Sequence, residues 1–188
     1  MSDGTLKSSG GGIPRYPSQV RINRERVQMK NLILMMGVMC SGKTSYVKKN
    51  FAGIQYVSEK AIAKSMVKES LLIKDNVDLL NAIVAITARS HMIQGLDVVI
   101  DDKNLNIQGM TIWWKIAKEY GYYVTVVLID TPYDTCLDRL KRITNDKESE
   151  RILFEECSRL KDLKPVLFSK YHGPDLFDDI KVIKYNGG

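Results

Sequence analysis

The chain has 188 residues, 44% apolar and 27% charged, which is the composition of one globular domain with room for a buried core. Its net charge of +6 and pI near 9.1 fit either a polyanionic partner such as nucleic acid or a solvated basic tail. No apolar run approaches the ~20 residues that cross a bilayer and no secretory leader is evident, so a soluble protein with no membrane partner is expected.

Residues 1–30 read as a flexible N-terminal tail, and residues 31–188 as the folded domain. The first 18 are rich in Gly and Ser, with Pro14 and Pro17, and cannot bury much. The tail holds six basic residues (Lys7, Arg15, Arg21, Arg24, Arg26, Lys30) against Asp3 and Glu25. The three cysteines, Cys40, Cys136 and Cys157, are odd in number and lack a Cys-x-x-Cys pair. They read as reduced thiols in a cytoplasm, that of a host cell if the source is viral.

The chain then becomes most informative. Leu32-Ile33-Leu34-Met35-Met36 is an apolar run fit for one buried strand, and Gly37-Val38-Met39-Cys40-Ser41-Gly42-Lys43-Thr44 matches the phosphate-loop pattern. A helix follows, ending near Asn50. A helix starting near Gly42 aims unpaired N–H groups and a positive dipole end at an anion. Gly37 and Gly42 let the backbone approach it. Cys40, Ser41 and Ser45 complete the nucleotide-binding loop, Lys43 reaches the β- and γ-phosphates, and Thr44 is a Mg²⁺ ligand. ATP and Mg²⁺ are the cofactors this implies.

Beyond Gly53, residues 54–57 read as a second strand, and Ser58 as the cap of a helix starting at Glu59. A long helix is expected over 75–94, stopped by Gly95, then a buried strand over 96–102 ending in Asp101 and Asp102. Carboxylates at that strand end suit a Mg²⁺ site. Asn106 caps a helix over 107–120, and residues 122–130 form a central strand. Helices over 133–142 and 149–161 follow, with a further one from Pro165 to Tyr171 and a last strand over 180–184. Residues 143–148 read as polar and mobile, giving a lid over about 142–150. Arg139 and Arg142, three apart, share a helix face from which they clamp phosphate. His91 and His172 show no metal-ligand spacing.

This alternation predicts an α/β fold of the P-loop kinase type: a five-stranded parallel sheet, helices on both faces, and a helical lid. Ligands bind such sheets beyond the strands' carboxyl ends. Residues 37–44, 58–60 and 101–103 should therefore lie along one edge.

The run Val99-Ile100-Asp101-Asp102-Lys103-Asn104-Leu105-Asn106 carries a family resemblance, continued by Trp113 and Trp114, Ala117-Lys118-Glu119-Tyr120-Gly121 and Asp130-Thr131-Pro132-Tyr133. It resembles the 5′-kinase domain of bacteriophage polynucleotide kinases, over roughly residues 31–171. The resemblance implies that Lys43 and Thr44 bind phosphate and Mg²⁺, that Asp102 is the essential Asp before Asn-Leu-Asn, and that Arg142 or Arg139 carries the lid arginine. Two departures stand out. The family's Arg-Asp-Asp-x-Arg segment is here Ser58-Glu59-Lys60-Ala61-Ile62-Ala63, so its proton-accepting Asp falls on Lys60, with Glu59 one residue away. Met39-Cys40 replaces the usual Pro-Gly.

The leading expectation is an ATP-dependent kinase acting on a hydroxyl of nucleic acid, with Glu59 or an aspartate as base and Lys60, Lys64 and Lys103 on the substrate side. The acceptor is a polynucleotide 5′-end or the hydroxymethyl group of 5-hydroxymethyluridine in phage DNA. A small-metabolite or nucleotide kinase and a nucleotide-binding module without its base are the other readings. DNA or RNA, and the oligomeric state, are left open.

Overall fold

β1 (Asn31–Met36) alternates Leu32, Leu34 and Met36 on one face with Ile33 and Met35 on the other, and all five are buried. A strand apolar on both faces belongs at the centre of a covered parallel sheet. The computed structural model, which describes residues 29–68, 77–169 and 177–184, places it there. The strand order is β2-β3-β1-β4-β5, with β2 (Gln55–Val57), β3 (Val98–Asp101), β4 (Tyr123–Asp130) and β5 (Asp179–Lys184). All four pairings are parallel. Leu34 lies between Ile100 and Val126, which fixes the register at the centre.

Five helices bury their apolar stripes on the face of Leu32, Leu34 and Met36. They are α2 (Glu59–Lys68), α3 (Val77–Ile93), α4 (Ile107–Glu119), α5 (Tyr133–Lys141) and α6 (Lys147–Leu167). Leu80, Val84, Ala88 and Met92 of α3 recur at helical spacing and are buried. The opposite face is covered by α1 (Lys43–Asn50) through Val47, with Phe51 and Ile54 beside it. Among the described residues the layers are therefore unequal, five helices against one.

Two helix ends behave as expected. Gly95 (φ +69°) closes α3 with Leu96 N–H donating to His91 O at 3.1 Å, and Gly121 (φ +72°) closes α4 with Tyr122 N–H donating to Ala117 O at 2.9 Å.

Other boundaries differ from expectation. β3 stops at Asp101, so Asp102 lies in the turn and not in the strand. The helix expected from 149 starts earlier: Asp146 accepts from the N–H groups of Glu148 and Ser149 at 3.2 and 3.0 Å and starts α6 at Lys147, within the stretch expected to be mobile. The two helices expected either side of residue 162 are one, with Pro165 inside it. Pro165 sits in the last turn, where only one backbone bond is forfeited before the helix ends. The expected tail up to residue 28, the start of α3 at 75–76, and residues 170–176 with Tyr171 and His172 lie outside the described residues.

Candidate active site

The phosphate loop links the carboxyl end of β1 to α1. Gly37 adopts φ +146°, and a Cβ there would lie 2.9 Å from Ile129 O and 3.0 Å from Ser41 Oγ, so only glycine fits. Gly42 (φ +103°) is the N-cap of α1 and leaves the first amides of that helix without intrahelical acceptors. Cys40 is left-handed at φ +58°, a conformation glycine adopts freely and other residues adopt at a cost. The loop is braced from outside. Gly37 N–H donates to Lys103 O (3.0 Å), Thr131 Oγ1 to Ser41 O (2.8 Å), and Arg139 Nη1 to Cys40 O (3.0 Å) and Ser41 O (3.2 Å).

Lys43 Nζ sits in the mouth of the loop, donating to Gly37 O and Val38 O at 2.8 Å each. Burial lowers its pKa, and the nearby carboxylates of Asp101, Glu156 and Asp102 oppose that shift. Thr44 Oγ1 donates to Asp101 Oδ2 at 2.6 Å, and Tyr56 OH donates to the same oxygen at 2.7 Å. A hydroxyl and a buried carboxylate in contact are hard oxygen donors of the kind Mg²⁺ takes while keeping several waters and phosphate oxygens. The residues present fit that ion. Among the described residues, no group of three or more His, Cys, Asp and Glu is placed to hold a metal ion.

Asp102 stands apart from that pair and faces Glu59, the first residue of α2. Ser58 Oγ accepts from Ala61 N–H at 3.3 Å and sets the phase of α2, which turns Glu59 toward Asp102. Lys60, the next residue, shares a cavity with Glu59 and Asp102 and also reaches the one at the phosphate loop. Burial is the largest cause raising the Glu59 carboxyl to about 7, followed by the charge of Asp102 and a hydrogen bond to it. Lys64 is exposed one turn along α2 and lines none of the three cavities described next.

Three cavities meet here. The largest, about 840 Å³, spans the loop from Cys40 to Tyr46 and carries Lys43, Lys49, Lys60, Arg139, Arg142 and Lys184 without one carboxylate. A polyphosphate is the ligand such a surface suits. Ser45 and Arg142 are exposed in it. The second, about 510 Å³, joins Lys43 and Thr44 to Glu59, Asp101, Asp102 and Lys103. The third, about 490 Å³, shares Glu59, Asp102 and Lys103 with the second and extends between α3 and α4. Residues 37–44, 58–60 and 101–103 are thus gathered at one end of the sheet.

One residue had no sequence signal. Glu156, in mid-helix on α6, is only 4% exposed. Its Oε2 accepts from Met39 N–H at 2.7 Å, and its Oε1 lies 2.7 Å from Lys103 Nζ, an ion pair and not an aligned hydrogen bond. A single Glu in a charged helix reads as solvated surface until the packing of that helix is known. Asn104 (φ +48°) was visible in sequence as part of the Asn-Leu-Asn run but not as a brace; its Nδ2 donates to Met35 O at 2.7 Å.

The chain is similar to several known proteins. A viral protein ascribed the role of bifunctional polynucleotide kinase/RNA ligase, from Autographa californica nuclear polyhedrosis virus, is 25% identical over 128 residues, covering 58% of this chain. The chain spans only 18% of that relative's length. Among solved structures, the Pnkp1/Rnl/Hen1 RNA repair complex contains a similar chain (TM-score 0.61, 15% identity, 72% of this chain and 45% of that one). A gluconokinase from Sinorhizobium meliloti 1021 is also similar (TM-score 0.54, 15% identity, 85% of each chain). Both likenesses are of fold. The profile of the AAA domain family matches residues 32–162. With its phosphate loop and parallel sheet, the chain belongs to the AAA domain family and has the fold of P-loop kinases.

Proposed function

We propose that the chain is an ATP-dependent kinase transferring the γ-phosphoryl group to a hydroxyl of nucleic acid, foremost a polynucleotide 5′-hydroxyl. The observation that carries this is the meeting of an all-cationic cavity at the phosphate loop with a carboxyl pair, Glu59 and Asp102, across one junction. Polynucleotide kinase activity is ascribed to the viral relative, and a structural neighbour belongs to an RNA repair complex, which supports the choice of acceptor.

The triphosphate lies along the amides of the loop, with Lys43 at its β- and γ-oxygens and Arg142 toward the transferred group. Arg139, bonded to the carbonyls of Cys40 and Ser41, keeps those amides aimed inward. Thr44 and Asp101 would hold Mg²⁺, which when bound draws charge from the β- and γ-phosphate oxygens. The acceptor oxygen bonds to the γ-phosphorus as the bond to the β–γ bridging oxygen breaks, leaving ADP. Its proton passes to Glu59, with Asp102 sharing the charge. Lys103 and Lys60 flank that hydroxyl.

The test is label transfer from γ-³²P-ATP to 5′-hydroxyl DNA, 5′-hydroxyl RNA, a hydroxymethyluridine duplex and gluconate. The expected result is label at a polynucleotide 5′-end. Label on the modified base alone moves the acceptor to that hydroxyl, label on gluconate alone moves it to a metabolite, and no label on any acceptor removes the kinase reading.

A further inference from the structure

The third cavity has a chemistry opposite to the first. Where the loop cavity carries cations and no acid, this one holds three carboxylates, Glu59, Asp102 and Glu156, against Lys103 and Arg159. Lys103 is already neutralised by Glu156 at 2.7 Å. An anion entering would find no surplus positive charge and would pass two further carboxylates on its way to the junction. The rest of the lining is flat, apolar or amide: Trp113 and Ile112 of α4, with Asn81 of α3 and Asn106. Asn106 spends its side-chain oxygen on Gln108 N–H (2.9 Å), so its amide nitrogen is the group left to donate. Ile112 is 60% exposed, an apolar side chain at the mouth. The volume, about 490 Å³, lies within the small-molecule range of roughly 300–1,000 Å³.

We propose that this cavity is the acceptor subsite and selects a neutral, flat, hydroxyl-bearing unit, a terminal nucleoside stacked on Trp113 and hydrogen-bonded by Asn81 and Asn106. It thereby rejects acceptors that carry a carboxylate or phosphate beside the hydroxyl. The proposal rests on the kinase reading for its role but not for its binding chemistry. Aromatic platforms take any base, because each has a π-face, and amides supply the polar contacts to its edge. Arg159, exposed at the rim, is the cation the next phosphate of a strand would meet.

Two measurements test it separately. The chain has two tryptophans, Trp113 and Trp114. A free nucleoside should quench the fluorescence of the full chain, gluconate should not, and Trp113→Phe should leave only the unresponsive Trp114 signal. In label transfer, Trp113→Ala should raise the acceptor KM roughly 5- to 150-fold, the range of one lost base stack, with kcat and the KM for ATP within about twofold. Trp113→Phe should restore most of that loss. Quenching by nucleosides without transfer to any acceptor would leave the subsite standing and the kinase reading fallen. Absence of nucleoside quenching, quenching by gluconate of equal size, or an unchanged acceptor KM in a Trp113→Ala protein of wild-type Tm would overturn the subsite.

Discussion

At Cys40 the phosphate loop departs from the glycine its resemblance implies, and the backbone shows the consequence. A left-handed conformation costs a residue with a Cβ about 1–2 kcal/mol, so Cys40→Gly is expected to raise stability by about 1 kcal/mol in urea unfolding. Gly37 is the opposite case. A Cβ 2.9 Å from Ile129 O, on a φ of +146°, forces the loop and β4 apart, and Gly37→Ala is expected to cost at least about 1–3 kcal/mol by the same measurement. The spacing of the glycines made the loop legible in sequence, whereas the strain at Cys40 was not, because it depends on φ alone.

Glu59 shows the reverse failure of sequence alignment. Matching to the family put the base position on Lys60, but Ser58 sets the start of α2 and brings Glu59 to Asp102. Folding raises the Glu59 carboxyl from 4.5 to about 7, so the fold favours its protonated form. Its contribution to stability is therefore complete below about 4.5 and is lost as pH rises through about 7. Wild-type Tm should fall relative to Glu59→Gln across that window, since glutamine does not titrate. The phosphotransfer rate should rise over the same window as the base ionises, and Glu59→Gln should lower it by roughly 10²- to 10⁴-fold. A rate undiminished in Glu59→Gln would exclude it as the base.

At the scale of elements, two segments far apart in sequence close a ring with the loop. The β3–α4 turn gives Lys103 O to Gly37 N–H, α6 gives Glu156 Oε2 to Met39 N–H, and Glu156 Oε1 returns to Lys103 Nζ. Glu156→Ala removes the acceptor of Met39 N–H and is expected to cost about 1–3 kcal/mol. Lys103, about half exposed, would turn into water at little further cost. Glu156→Gln keeps an acceptor for Met39 and should be milder in urea, yet it frees Lys103 beside Glu59 and Asp102. If the ring positions catalytic groups, Glu156→Gln should lower kcat by about tenfold while leaving the KM for ATP nearly unchanged, and should add nothing once Lys103→Met is present. Additive losses would make Glu156 a structural residue only. The strands of this ring were readable from their apolar runs. The ring itself was not, because α6 appeared as two helices and its buried carboxylate as one acid among many.

Over the whole molecule, the strand order places β1 at the centre, with β3 and β4 on either side, so the loop, the Asp101–Asp102 turn and the α5 arginines share one end of the sheet. That gathering was legible from the alternation of strands and helices, since parallel topology leaves few other arrangements. The split of charge into a cationic cavity at the phosphate loop and an acid-containing cavity between α3 and α4 was not, because net charge sums over both. It has a consequence for stability. A nucleotide seated in the cationic cavity ties β1, α1 and α5 together and binds only the folded chain. At about 100 times its Kd it should add about 2.7 kcal/mol, a rise in Tm of roughly 5–11 °C at this chain length. Lys43→Ala should abolish that rise while lowering the Tm of the free protein little. The buried ammonium is held at a desolvation cost, which offsets the two 2.8 Å bonds it gives to Gly37 O and Val38 O. A full ATP-induced shift in Lys43→Ala, read by differential scanning calorimetry, would put the triphosphate somewhere other than the phosphate loop.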